Sequence, residues 1–130
     1  VREIKFRAFY KYQNKIVDVL SIDFLNKRVY IEATKKGKPF GYINFDDCVL
    51  MQYTGLKDKN GIDIYGDDIV FHQSQPKVNY KIIWNNNGFM TEYKFMRKYE
   101  NEEYEEKSYG IIHKSLEVIG NIYENADLLK

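Results

Sequence analysis

Apolar side chains recur at every second position along most of this chain. That spacing constrains the fold, because successive side chains of an extended strand point to opposite faces. In REIKFRAFYKY, Ile4, Phe6, Ala8, Tyr10 and Tyr12 fall on one face and Lys5, Arg7, Phe9 and Lys11 on the other. In RVYIEA, Val29, Ile31 and Ala33 alternate with Arg28, Tyr30 and Glu32. VNYKIIW, NNNG and FMTEYKF spell a hairpin, since Asn-Gly supplies the positive φ of a type I′ turn and both flanks are β-rich. IVDVLSIDFL, YINF and LEVIGNI read as further strands, and CVLMQY as a strand or the start of a helical turn. TKKGKPFG is a loop by its Gly, Pro and Lys content. The period fails in RKYENEEYEEKSY, residues 97–109, which suits an exposed helix or a mobile loop, and in YENADLLK, which suits a terminal helical turn. The expectation is a mainly β domain, small and barrel-like or sandwich-like, with antiparallel hairpins and one or two short helical segments. At 130 residues one core suffices, so residues 1–130 read as a single domain.

Charge is nearly balanced at +1 but unevenly spread. Residues 1–40 carry 10 − 4 = +6, residues 41–75 carry 2 − 6 = −4, and the remainder 8 − 9 = −1. One cysteine, Cys48, excludes an internal disulfide, and no apolar run approaches the ~20 residues of a membrane span. A cytoplasmic protein with no membrane partner is expected.

MQYTGLKDKNGIDIYGDDIVF, residues 51–71, packs glycines and acids between two apolar runs and invites a ligand reading. Turn chemistry accounts for it. Asp58 can receive backbone N–H groups, Asn60 and Gly61 tolerate left-handed φ, and Gly66 opens a second bend into the next strand. A calcium loop starting at Asp58 would need Gly at its sixth position and Glu at its twelfth, where the chain has Asp63 and Ile69. Other sites are sparse. Glu92-Tyr93-Lys94 supplies half of a metal-dependent nuclease motif, which would need a further acid such as Asp68 from a neighbouring strand. A hairpin turn at Asn86-Asn87 places Lys81 opposite Glu92, and one at Asn87-Gly88 places Ile83 there. His72 and His113 lack close-spaced metal-ligand partners, Cys48 lies in an apolar run, and Trp84 alternates with Ile82 and Tyr80 as a core residue would. No catalytic residues, metal or cofactor are expected.

Three blocks carry a family resemblance: REIKFRA near the start, MQYTGLKDKNGIDIYGDDIV in the middle and VIGNIYENADLL near the end. Together they resemble the YopX family of bacteriophage and prophage proteins. Members usually read Tyr-Glu-Gly-Asp-Ile-Val after the central turn, whereas this chain has Tyr65-Gly66-Asp67-Asp68-Ile69-Val70. The resemblance implies a β-rich, barrel-like phage protein acting in the host cytoplasm, and no known activity.

Function is then expected to rest on binding. Lys5, Arg7 and Lys11 interleaved with Phe9 resemble a single-stranded nucleic-acid face, where cations meet phosphates and a ring stacks on a base. Tyr99, Tyr104 and Tyr109 lie among charges where no core position is evident, and tyrosine favours interfaces. Contacts with a host or phage protein rank ahead of nucleic acid. A homo-oligomer is expected, joined through the region from Phe95 to Tyr109 or through NIYENADLL.

Overall fold

The computed structural model describes residues 3–32, 37 and 40–130. Its strands pair antiparallel, and the helical content among the described residues is two short 3-10 turns, Phe45–Asp47 and Ala126–Leu129. The mainly β class therefore holds. The backbone forms two compact units, residues 1–53 and 54–130.

The first unit holds β1 (Phe6–Tyr10), β2 (Lys15–Asp18), β3 (Ser21–Asp23), β4 (Arg28–Glu32), β5 (Phe40–Asn44) and the start of β6 (Cys48–Lys57). β2, β1 and β6 make one sheet, and β3, β4 and β5 another. Their inner faces meet in a core of Ala8 and Cys48 from one sheet with Val29, Ile31 and Ile43 from the other. IVDVLSIDFL, read as one run, is two strands with a bend at Leu20, whose N–H donates to the Tyr30 carbonyl at 2.7 Å. CVLMQY is strand, and the helical turn precedes it. Most of the TKKGKPFG loop lies outside the described residues.

The second unit holds the end of β6, then β7 (Asp63–Tyr65), β8 (Asp68–Phe71), β9 (Asn79–Asn85), β10 (Gly88–Tyr99), β11 (Glu102–Gly110) and β12 (Glu117–Asn121). Five of these form a sheet in the order β11-β10-β9-β8-β12. Val70 and Ile82 of this sheet pack with Ile64 of β7 and with Leu116, just before β12, in the buried core. The β9–β10 turn falls on Asn86 and Asn87, with Gly88 paired to Asn85 and Lys81 opposite Glu92. Neither asparagine has positive φ; Gly88 does, at 123°, so the reversal is not the Asn-Gly type I′ turn its sequence suggests.

Two sequence expectations are corrected here. Residues 97–109 are neither helix nor mobile loop: they complete β10, turn at Glu100 (φ 56°) and Asn101, and return as β11. Trp84 is not core but 64% exposed, its ring edge-on to Phe89 at 4.8 Å between centroids. The alternation that buries Ile82 continues past the end of the core it packs into.

Candidate interaction surfaces and the turn node

Asp58 is the hub of the second unit. Its Oδ1 accepts the N–H groups of Asn60 (2.8 Å) and Ile62 (2.9 Å), closing the DKNG turn, and its Oδ2 accepts the N–H of Val118 on β12 (2.9 Å). Burial works to raise the carboxyl's pKa, but the Val118, Ile62 and Asn60 donors prevail and hold it below the ordinary value. Gly61 sits at φ 79°, a left-handed conformation that costs a glycine nothing. The next bend uses Gly66 and Asp67. Asp67 carries φ 68° at the position where related sequences have glycine, so the shifted Gly is answered by an acid that tolerates left-handed backbone.

Asp67 is engaged through both its side chain and its backbone. Its Oδ2 accepts the hydroxyl of Tyr123 at 2.7 Å, its carbonyl receives the Ile122 N–H, and its N–H donates to Ile82. Burial and the adjacent Asp67 carboxylate together drive the Tyr123 hydroxyl pKa well above its ordinary value. Asp68, fully buried, accepts the Tyr65 N–H at 2.8 Å. On the other side Asn121 Oδ1 accepts the N–H groups of Tyr123 and Glu124, and Asn125 Oδ1 accepts that of Asn121. Gly120 packs against Asn125 so closely that a Cβ would overlap its side chain. Asn121, Tyr123 and Asn125 were not singled out from the sequence, yet all stand in the C-terminal block of the family resemblance. The N-terminal block behaves alike within the first unit: Phe6 pairs with Gln52, the Tyr53 N–H donates to the Lys5 carbonyl, and the Lys5 ammonium lies 4.5 Å from the centre of the Tyr53 ring. Within each unit the residues of these blocks neighbour those of the central block, and several of their polar side chains hold backbone.

The basic strand is less open than its alternation suggests. Lys5, Arg7 and Lys11 lie on or beside β1, but Phe9 is only 9% exposed, which corrects its placement on a solvated face where it could stack on a base. Lys5 pairs with Glu3 at 3.5 Å, and the Lys11 ammonium donates to the Asp46 carbonyl at 3.0 Å. The nuclease constellation does not assemble either. Ile69, Lys81 and Glu92 align across β8, β9 and β10, so Asp68 faces the opposite side of the sheet, two strand spacings or roughly 10 Å from Glu92.

His72 and His113 meet with ring centroids 4.9 Å apart. Among the described residues no third His, Cys, Asp or Glu joins them as a metal-ligand group. His72 Nδ1 is occupied by the Ser74 N–H at 3.0 Å. Cys48 is buried, and burial pushes its thiol pKa up, away from nucleophilic use.

The most exposed element is the arm formed by β10 and β11. β9 pairs with β10 only as far as Glu92, whereas β11 follows β10 to Tyr99. The far part carries Met96 (62% exposed), Tyr99 (66%) and Tyr104 on a frame of cross-strand charges: Lys98 opposite Glu103, Arg97 3.5 Å from Glu106 and Lys94 3.4 Å from Glu105. β11 is also the terminal strand of its sheet.

Residues 5–130 match the family model described as YopX protein. No curated protein matches the chain. Among solved structures, the crystal structure of protein EF1440 from Enterococcus faecalis is similar over 100% of both chains, with a TM-score of 0.63 at 22% identity, a likeness of fold.

Proposed function

Because the chain belongs to the YopX family, phage and prophage proteins of unknown biochemical function, we propose that it is a non-enzymatic accessory protein of the host cytoplasm that works by protein contact. The observation that carries this reading is the β10–β11 arm, a two-stranded projection that displays Met96, Tyr99 and Tyr104 to solvent. A nine-residue terminal strand is a pairing template, and its acids restrict which strand can add to it. A second copy satisfies that restriction. Two β11 strands paired antiparallel about Glu106 set Glu105 opposite Lys107 twice, and the two Glu106, which then face each other, are each offset by the Arg97 of their own chain at 3.5 Å.

Light scattering coupled to size exclusion at micromolar concentration tests this. We expect a multiple of the 130-residue chain's mass, and a single-chain mass once residues 96–105 are replaced by an Asn-Gly turn with β-type circular dichroism retained. A single-chain mass for the unaltered protein at every concentration overturns self-association. A multimer that survives removal of the arm overturns the assignment of the surface.

A further inference from the structure

The inner face of the five-stranded sheet extends past the core that it buries. Register sets Tyr80 and Ile82 of β9, Thr91 and Tyr93 of β10, and Ser108 and Gly110 of β11 on that face. Ile82 is buried in the core, and the other five border a cavity of about 340 Å³, near the lower end of the range for ligand pockets. The turn at residues 72–75 and the segment 111–116 form its remaining walls, which meet where the His72 and His113 rings touch.

Two features set this cavity apart from an ordinary surface hollow. Thr91 is only 5% exposed, yet its hydroxyl has no hydrogen-bond partner among the described residues, and a buried polar group left unpaired is costly. That hydroxyl lies toward Gly110: a Cβ on Gly110 would stand 3.0 Å from Thr91 Oγ1. Gly110 does not have positive φ, so the backbone does not call for glycine there, and the missing side chain keeps the hydroxyl open to the cavity. The second feature is the kind of lining. No Lys, Arg, Asp or Glu among the described residues borders the cavity, in a chain of which 30% is charged. Aromatic rings take their place: Tyr80 and Tyr93 meet edge-on at 5.4 Å between centroids, and the two imidazoles at 4.9 Å. His72 Nδ1 accepts the Ser74 N–H, which leaves Nε2 of that ring as a donor.

We infer that this cavity binds a small uncharged molecule with a flat heteroaromatic ring, seated among the tyrosine and histidine rings with its polar edge on the Thr91 hydroxyl. The lining selects that class by elimination. A phosphate, carboxylate or ammonium group would give up hydration and meet no opposite charge on these walls. A purely apolar molecule would leave the Thr91 hydroxyl unpaired and cut off from water. A flat ring gains offset-stacked or edge-to-face contact with either aromatic pair, a gain that a puckered ring of nearly the same composition forfeits.

Uracil, cytosine and adenine serve as probes, titrated into the full chain while amide NMR shifts are followed. We expect saturable shifts at Thr91, Tyr93, Ser108 and Gly110 with at least one of them. Against uracil, two comparators test the class. Dihydrouracil keeps the hydrogen-bonding edge but puckers the ring, and orotate keeps the flat ring but adds a carboxylate; each should bind at least about fivefold more weakly. Thr91→Val removes the hydroxyl at nearly constant volume and should weaken the best-bound base by about fivefold. Because that hydroxyl has no protein partner to lose, the melting temperature of this variant should not fall. Gly110→Ala, which covers the hydroxyl, should weaken binding at least as much, with circular dichroism verifying the fold. No saturable shift at these amides with any of the three bases overturns the inference. So does orotate or dihydrouracil binding as tightly as uracil, or base binding that both substitutions leave unchanged. The cavity lies on the face of the sheet and the proposed self-association uses the free edge of β11, so the base titration and the mass measurement fail independently.

Discussion

Asp58 and Tyr123 set opposite limits on the pH range over which the second unit is stable. Asp58→Ala removes one acceptor from three backbone donors, and we expect a loss of about 2–4 kcal/mol in denaturant unfolding. The folded carboxyl has a lowered pKa, so its contribution is complete above the ordinary value near ~4 and is lost as pH falls through the folded value. Acid titration of the melting temperature should therefore flatten in Asp58→Ala. Tyr123 has the reverse sign. Its pKa is raised on folding, first by burial and then by Asp67, so its contribution is complete below ~10 and fades as pH rises beyond it. Tyr123→Phe should be less stable at neutral pH by about 1 kcal/mol yet lose less on going to alkaline pH, as thermal melts from neutral to alkaline buffer would show. Asp58, Asn60 and Gly61 were legible because turn chemistry is local. Tyr123 and Asn125 were not, because their partners Asp67 and Asn121 acquire meaning only once β8 and β12 pair.

The β10–β11 arm shows what alternation cannot reveal. Apolar–polar alternation marks a strand only when one face is buried, and between Met96 and Glu105 both faces meet solvent. A different signal was present: Lys94, Arg97 and Lys98 precede Glu100 and Asn101, and Glu102, Glu103, Glu105 and Glu106 follow, a reversal of sign about a turn that cross-strand pairing explains. Because a non-glycine residue in the left-handed region is strained, Glu100→Gly should stabilise the protein by up to about 1 kcal/mol, visible as a raised melting temperature. An unchanged melt would place the limiting step of unfolding elsewhere than the arm. Amides of residues 96–105 should exchange with solvent well before those of Ile69, Val70 and Ile82, which lie in the buried part of the sheet.

For the whole molecule, far-UV circular dichroism should show a β-type spectrum, because two 3-10 turns are the helical content among the described residues. A helix-dominated spectrum would contradict the fold. The β class was readable because period two is repeated in segment after segment. The gathering of lysines was not, because residues 76–130 sum to −1 and only strand pairing brings Lys81, Lys94 and Lys107 to one face of the sheet. Trp84 was misplaced for a related reason: alternation tells which residues share a face and not where the core beneath that face ends.

The bond from Asp58 to Val118 and that from Asp67 to Tyr123 each span more than fifty residues, and this imposes an order of events on a chain made from one end. The pairings of the first unit are complete once residue 53 has left the ribosome. The second unit must wait: until residues 117–123 emerge, β8 has an open edge and the DKNG turn lacks its third donor. During synthesis the protein therefore passes through an interval in which a closed first unit is followed by an unsealed sheet, and the C-terminal block ends that interval.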